Sequence, residues 1–220
     1  MTPNEEAAAD YVASLERLWP HAAYVAVNVS SPNTEGLRRL QAREALDELL
    51  AAIQRKNREV SAARGRPLLP VLVKIAPDLD DAAIDDVVQL ALEHELAGVI
   101  ATNTTLSREG LATPREAVER IGAGGLSGAP LRERARAVVR RVYEHGGGRL
   151  LVIGVGGVFS ADDAWELFRA GASLVEVYTG FIYEGPAFVR ALNRGLARRL
   201  RERGVSLDQV VGEAVRQRGN

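Results

Sequence analysis

Hydroxyl and amide side chains are concentrated between Asn28 and Thr34, where the sequence reads NVSSPNT. The valine-rich stretch that leads into this segment predicts a β-strand with Val25, Val27 and Val29 on one face and Asn28 on the other. An amide on a strand face needs a partner, and α/β folds place their chemistry in loops at the carboxyl ends of parallel strands. The same composition is also typical of an ordinary Ser/Asn/Pro turn. The segment is therefore a candidate functional site. This interpretation is stronger if the other predicted strands also end in polar segments.

Polar or glycine-rich segments follow the other predicted strands too. Lys74 shares a strand face with Leu72, and a cation on an inner face must meet an anion. Residues 102–105 read TNTT, a dense group of hydrogen-bonding side chains. Residues 153–157 and 176–180 read IGVGG and EVYTG, and two such glycine-bearing strand ends are typical of a phosphate site built from backbone N–H groups. Glycines at a βα turn are also common for steric reasons, so the GVGG motif alone is a weak signal.

Short aliphatic segments alternate with longer amphipathic segments along the chain. The predicted strands are Ala23–Val29, Val71–Ile75, Gly98–Ala101, Leu150–Val155 and Leu174–Tyr178. The predicted helices lie near Glu5–Leu18, Leu40–Val60, Asp81–Glu93, Leu131–Tyr143, Ala161–Arg169, Pro186–Arg203 and Leu207–Arg216. Caps are predicted within Asp78–Asp81 and at Ser160, and Pro186 suits a first helical turn. Strict alternation of strand and helix predicts an α/β fold with a parallel sheet and right-handed crossovers.

The composition restricts the class of protein without naming a function. The 220 residues carry a formal net charge of −1, 46% of them are hydrophobic, and none is cysteine. This balance predicts a soluble globular chain and gives no reason to expect a nucleic-acid partner. The absence of cysteine excludes disulfides and a cysteine nucleophile, and the separated histidines do not indicate a metal site. No apolar run approaches the roughly 20 residues of a membrane span, so we expect a cytoplasmic location.

Considered together, the motifs resemble those of the dihydroorotate dehydrogenases, and specifically the membrane-associated, quinone-dependent class. The matching segments are NVSSPNTEGLRRLQ (28–41), VKIAPDL (73–79), GVIATNTT (98–105), GGLSGAPL (124–131), IGVGGV (153–158) and YTGFIYEGP (178–186). They occur in the family's order and spacing over nearly the whole chain. The active-site base in the first segment is serine in the quinone-dependent class and cysteine in the soluble class. Ser31 occupies that position here.

The resemblance implies a (β/α)8 TIM barrel that binds FMN and oxidises (S)-dihydroorotate to orotate in pyrimidine (UMP) synthesis, with a quinone as electron acceptor. Ser31 is expected to remove the substrate's C5 proton while a hydride passes from C6 to the flavin. The residues expected to bind the substrate are Asn28, Asn33, Asn103 and Thr104. The residues expected to bind the flavin are Asn28, Lys74, Thr102, Gly128, Gly157, Tyr178 and Thr179. A serine hydroxyl is a poor base at its ordinary pKa, so a proton acceptor that the sequence does not identify must act behind Ser31.

The sequence departs from the family pattern at its beginning. Five strands are predicted where a closed barrel has eight, and the chain begins inside the helix that precedes the family's fourth strand. We therefore interpret residues 1–220 as the C-terminal portion of such an enzyme, comprising the last five βα units. The N-terminal strands and the helices that contact membrane and quinone would be absent. Peripheral contact with the cytoplasmic side of the cell membrane is expected through that absent part, whereas this chain alone is expected to be soluble and cytoplasmic.

Other interpretations stay open at this point. The chain could be an inactive truncated fragment or an interaction subunit, or another phosphate-binding βα-barrel flavoenzyme such as a dihydrouridine synthase-like protein. The SSPN and TNTT segments argue against the last interpretation, as does the lack of a basic face for tRNA. Single residues also have structural interpretations: Lys74 as a core lysine paired with Glu176, Asn103 and Thr104 as a helix cap or Asx turn, and Tyr178 as a packed aromatic. The arginines between Arg194 and Arg203 are interpreted as a solvated helix face.

Overall fold

A computed structural model describes residues 3–218 as an α/β fold built on a five-stranded parallel sheet, in which the strands follow one another in chain order. The strands are β1 (Val25–Asn28), β2 (Val71–Ile75), β3 (Gly98–Ala101), β4 (Leu151–Val155) and β5 (Leu174–Glu176). The helices are α1 (Ala7–Leu18), α2 (Arg43–Arg64), α3 (Asp81–Glu93), α4 (Arg115–Ile121), α5 (Arg132–Gly146), α6 (Ala161–Ala170), α7 (Thr179–Glu184), α8 (Phe188–Arg203), α9 (Leu207–Val210) and α10 (Glu213–Arg216). No helix in this part of the chain combines the length and apolar character needed to cross a bilayer.

The predicted α/β class and the parallel sheet are confirmed. The bounds predicted for β2, β3 and α3 match the structure residue for residue. Helix α3 begins where it does because the Asp80 side chain accepts a hydrogen bond from the amide of Ala83, and Ser160 caps α6 in the same way through the amide of Asp163. Asp78, which falls within the predicted cap segment, instead contacts two loops described below.

Several predictions on the C-terminal half are wrong. The segment after Tyr178 carries no predicted helix but forms α7, and Pro186 lies in the turn before α8 and not in its first turn. Residues 207–216 form two short helices separated by a turn at Gly212, and α4 was not predicted. These elements are short, so the hydrophobic patterns that predict helices include too few residues to be clear. The predicted basic face is also only partly solvated, because Arg199 and Arg203 lie over the ring of Trp165.

The two faces of the sheet separate the packing core from the site. Side chains that point outward from β2, such as Val71, Val73 and Ile75, are buried beneath the surrounding helices. The inner face carries a smaller apolar cluster of Leu72, Ile100 and Ile153. Lys74 lies one step further along that inner face, where its strand register places it beside Asn28 of β1 and Ile100 of β3. Because all five strands run parallel, their carboxyl ends meet at one edge of the sheet.

Candidate active site

An amide and hydroxyl cluster joins the ends of β1 and β3. The side-chain oxygen of Asn28 accepts hydrogen bonds from the hydroxyl of Ser30 at 3.0 Å and from Nδ2 of Asn103 at 3.3 Å. The same Nδ2 donates to the Ser30 hydroxyl at 3.1 Å. Oδ1 of Asn103 accepts from the backbone amide of Thr104 at 2.7 Å. The two asparagine amides are therefore fixed in orientation by a buried serine between them.

Ser31 lies in the turn that follows this cluster, and its side chain is partly exposed. Its Oγ accepts a hydrogen bond from the backbone amide of Asn33 at 3.3 Å. The side-chain oxygen of Asn33 accepts in turn from the amide of Gly125 at 3.2 Å. A two-residue antiparallel bridge between Thr105 and Leu126 holds the Gly125 segment against the end of β3. The Ser31 turn, which belongs to the loop after β1, is therefore held against the segment that follows β3.

Arg38 links the loop after β1 to the loop after β3. Its Nε donates to the carbonyl of Ser30 at 3.0 Å, one terminal nitrogen donates to Asp78 at 2.6 Å, and the other donates to the carbonyl of Thr104 at 2.8 Å. Asp78 also accepts from the Thr105 hydroxyl and from the amide of Leu106. Partial burial by itself would raise the pKa of the Asp78 carboxyl, but the hydrogen bonds from Thr105, Arg38 and the Leu106 amide outweigh burial and hold that pKa below its ordinary value.

Lys74 faces a cavity of about 490 Å³ at the carboxyl ends of the strands. Its Nζ lies 3.7 Å from a carboxylate oxygen of Glu176, so the predicted partner of this lysine is confirmed as a neighbour. Both side chains line the cavity together with Thr102, Asn103 and Thr104. The contact with Glu176 explains how a cation is accommodated on the inner face of the sheet. Lys74 still lines the cavity when it makes this contact.

Gly128, Gly157, Tyr178 and Thr179 line the other side of this cavity. The hydroxyl of Thr179 donates to the hydroxyl of Ser127 at 2.8 Å. The backbone amides of Gly157 and Thr179 donate to no acceptor in residues 3–218. Tyr178 is 78% exposed, so within residues 3–218 it is not the packed aromatic of the structural interpretation.

The glycine at position 157 has a packing role, which agrees with the steric interpretation of the GVGG motif. Its φ is +71°, and a Cβ atom there would lie 2.4 Å from Cα of Arg132. The nitrogen Nε of Arg132 donates to the Gly157 carbonyl at 3.1 Å. Glycine is therefore required at this position by the start of α5, whether or not a phosphate approaches the same backbone.

All of the residues predicted from the sequence lie at one end of the sheet, in two adjoining groups. The first group lines the cavity and comprises Lys74, Thr102, Asn103, Thr104, Gly128, Gly157, Tyr178 and Thr179. The second group lies beside it and comprises Asn28, Ser31 and Asn33. Asn103 belongs to the first group and contacts the second through Asn28. Thr102 is buried, and its amide donates to the carbonyl of Val155 at 2.9 Å, which fixes the backbone between the two groups.

Three residues of this region were missed by the sequence reasoning: Ser30, Arg38 and Asp78. Ser30 is adjacent to Ser31, and the sequence offers no signal that tells the buried hydroxyl from the accessible one. Arg38 is part of the matching segment at residues 28–41, and Asp78 is part of the segment at residues 73–79. Both therefore carried a motif signal, but only the folded chain brings them within hydrogen-bonding distance.

Comparison with known proteins agrees with this architecture. The family model described as dihydroorotate dehydrogenase matches residues 1–200. The chain is 54% identical to the dihydroorotate dehydrogenase (quinone) of Anaeromyxobacter dehalogenans strain 2CP-1, covering 100% of this chain and 58% of that protein. It is 53% identical to the protein of the same name from Streptomyces coelicolor, covering 98% of this chain and 58% of the relative. The chain thus spans less than two thirds of the length of these curated relatives.

A solved structure gives the same result in three dimensions. The crystal structure of DHODH from Eimeria tenella in complex with ferulenol superposes with a TM-score of 0.85 and 34% sequence identity. The match covers 95% of this chain and 58% of that chain. The fold predicted from the motifs, five βα units of the barrel type, is confirmed. The chain belongs to the dihydroorotate dehydrogenase family.

Proposed function

We propose that this protein acts in the FMN-dependent oxidation of dihydroorotate to orotate, with a quinone as the electron acceptor. The observation that carries the proposal is the joining of two groups at one edge of the sheet. The Ser31 turn and the oriented amides of Asn28 and Asn103 lie beside a cavity. Lys74 lines this cavity, and Gly128 and Gly157 are among the residues of its wall. The quinone and the peripheral membrane contact are parts of the proposal that rest on the resemblance and on the names of the relatives.

The donors on the glycine-lined wall fit a flavin phosphate. Two backbone amides, at Gly157 and Thr179, have no acceptor within residues 3–218, and the hydroxyls of Ser127 and Thr179 are beside them. Such a set of neutral donors is what phosphate oxygens require. We therefore assign Gly128, Gly157, Tyr178 and Thr179 to the phosphate end and Lys74, Thr102 and Asn28 to the ring end of FMN. When FMN is bound, it supplies two-electron acceptance from the substrate.

Ser31 is the residue that we assign as the base that removes the C5 proton of the substrate. Its Oγ already accepts a hydrogen bond from the amide of Asn33, so its own hydroxyl proton is directed away from that N–H group. An N–H donor at this oxygen also stabilises the negative charge that develops when the hydroxyl proton leaves. In the proposed step, the oxygen takes the proton from C5 of the substrate while its own proton passes to a water molecule. The two electrons leave the substrate with a hydride that bound FMN would accept. The turn thus supports the charge that makes serine a usable base.

The asparagines are assigned to binding the substrate. Oδ1 of Asn28 is occupied by Ser30 and Asn103, and its Nδ2 has no acceptor in the described part of the chain. That nitrogen is therefore available to donate to a carboxylate or carbonyl oxygen, the acceptors that orotate carries. Nδ2 of Asn33 likewise has no acceptor in the described residues, whereas Nδ2 of Asn103 donates to Asn28 and Ser30 and must exchange one of these bonds to contact a substrate. The Thr104 hydroxyl lies beside Asn103. A fixed amide loses less freedom on binding than a mobile one.

The proposal is tested by rapid mixing of FMN-loaded protein with dihydroorotate in the absence of oxygen, following the flavin absorbance. Ser31→Ala should slow flavin reduction by roughly a hundredfold or more, because it removes the group that accepts the proton. FMN affinity should stay unchanged, since Ser31 does not line the cavity. Flavin reduction at the unchanged rate in Ser31→Ala would contradict the assignment of the base.

A matched control is Ser107→Ala. Ser107 lies in the loop after β3, its hydroxyl accepts a hydrogen bond from the backbone amide of Glu109, and it does not line the cavity. It should leave both FMN affinity and flavin reduction unchanged. Failure of the unsubstituted chain to bind FMN at all would contradict the proposal for this polypeptide.

A further inference from the structure

Three loops at the edge of the sheet are joined through one guanidinium group. Arg38 donates to the Ser30 carbonyl in the loop after β1, to the Asp78 carboxylate after β2, and to the Thr104 carbonyl after β3. The partners are 8, 40 and 66 residues away along the chain. A planar guanidinium with five donors in fixed directions can satisfy three such acceptors at once, whereas the ammonium of lysine is a single point charge.

Asp78 extends the same connection to the far side of the loop after β3. Its carboxylate accepts from the hydroxyl of Thr105 and from the backbone amide of Leu106 at 3.1 Å. The side chains of Arg38 and Asp78 are 19% and 29% exposed, so solvent screens their 2.6 Å contact less than it screens a fully exposed pair. Charge-assisted hydrogen bonds of this kind are stronger than neutral ones.

We propose that Arg38 and Asp78 are positioning residues that lock the Ser30–Asn33 turn against the Thr102–Leu106 loop. The consequence for the reaction rests on the proposed function: with the lock in place, Ser31 and Asn33 keep a constant distance from Asn103 and Thr104. Neither Arg38 nor Asp78 lines the cavity, so each acts through the backbone it holds. Without the lock, the Ser31 turn keeps only the contacts of Ser30 and Asn33 with the neighbouring loops.

The test is amide hydrogen–deuterium exchange on the 220-residue chain, which needs no ligand. Arg38→Gln and Asp78→Asn should each raise exchange roughly tenfold in two separate segments, residues 29–34 and residues 103–106. The double variant should raise exchange by less than the two single effects combined, because both substitutions break the shared contact between Arg38 and Asp78. Faster exchange in only one of the two segments, or additive effects in the double variant, would overturn the proposal.

The matched control is Arg43→Gln. Arg43 forms a contact of 2.7 Å with Asp86 between α2 and α3. The substitution therefore breaks an arginine–aspartate pair of nearly the same length away from the loops. It should leave exchange in both loop segments unchanged. Equal loosening by Arg43→Gln would show that the effect reports general destabilisation and would overturn the proposal.

Arg38→Lys separates positioning from simple charge pairing. It retains the attraction to Asp78 but loses the directed bonds to the two carbonyls, so loop exchange should stay close to that of Arg38→Gln. Full protection in Arg38→Lys would show that a positive charge suffices and would overturn the three-loop lock.

A second experiment measures orotate binding by calorimetry. Arg38→Gln should weaken orotate binding roughly tenfold without changing FMN affinity. If the unsubstituted chain binds no orotate, the proposed function fails. The exchange experiment still tests whether Arg38 and Asp78 hold the loops together.

Discussion

The ammonium of Lys74 on β2 lies 3.7 Å from the carboxylate of Glu176 on β5, although two strands separate β2 from β5 in the sheet. Only a curved sheet brings these inner faces together, so the contact reports the barrel-like curvature directly. The pair also places a negative charge beside the one lysine that lines the cavity in residues 3–218. Glu176 therefore reduces the positive potential that a bound anion would experience.

We expect opposite effects from removing the two charges. Glu176→Gln should strengthen FMN binding about threefold, because Lys74 is then uncompensated, and Lys74→Met should weaken it by at least as much. Fluorescence titration of FMN measures both. The control is Glu93→Gln, which breaks a 3.8 Å contact with Arg43 between helices and should leave FMN affinity unchanged. A shift of affinity in the same direction for Glu176→Gln and Lys74→Met would refute this account.

Ser30 and Ser31 should respond differently to the same substitution. Ser30→Ala removes a buried hydroxyl that bonds to both Asn28 and Asn103, so the free energy of unfolding should fall by about 1–2 kcal/mol. Ser31→Ala should change it by less than about 0.5 kcal/mol, because its hydroxyl is partly exposed. Urea denaturation measures the difference. Equal stability losses would contradict the assignment of a stabilising role to the Ser30 hydroxyl and not to the Ser31 hydroxyl.

Gly157→Ala tests the packing role of that glycine. The added Cβ would lie 2.4 Å from Cα of Arg132 at a positive φ, so unfolding free energy should fall by about 2–4 kcal/mol. Gly65→Ala is the control, since Gly65 has a φ of +60° with no atom within 4 Å of the added carbon, and it should cost about 1 kcal/mol. Thermal unfolding without ligand measures both. Similar losses in the two variants would show that the contact with Arg132 relaxes without cost.

Acid stability should depend on Glu213 at the start of α10. A hydrogen bond from Arg203 is the largest cause that lowers the pKa of the Glu213 carboxyl. Burial is the next largest cause and acts in the opposite direction, and Arg169 adds a smaller lowering effect. A carboxyl whose pKa is lower in the folded state stabilises the fold above its unfolded value of about 4.3 and loses that contribution as the pH falls through the folded value. Glu213→Gln should therefore melt lower than the unchanged chain at pH 7, with a difference that shrinks by pH 3.

Melting temperatures between pH 3 and 7 test this dependence. Glu202→Gln is the control, because Glu202 makes an exposed 3.7 Å contact with Arg198 within the same helix. Its melting curve should follow the unchanged chain across the whole range. A constant difference between Glu213→Gln and the unchanged chain from pH 7 to pH 3 would contradict the linkage.

The sequence by itself determined the elements whose signals are local. The alternation of valines defined β2, and the Asp80 cap with its helical periodicity defined α3, so both were predicted with correct bounds. The order of the motifs determined the family and the residues that gather at one edge. These features depend on neighbours along the chain, and parallel strands bring their carboxyl ends together in any α/β fold.

Only the tertiary structure decided which of those residues touch. The bond from Arg38 to Thr104 joins residues 66 positions apart, and the contact of Lys74 with Glu176 depends on curvature across four strands. Helix α7 and the turn at Pro186 carry no clear local signal, because a six-residue helix offers too short a pattern to recognise. Ser30 and Ser31 are the same residue type side by side, and only the fold buries one hydroxyl and exposes the other.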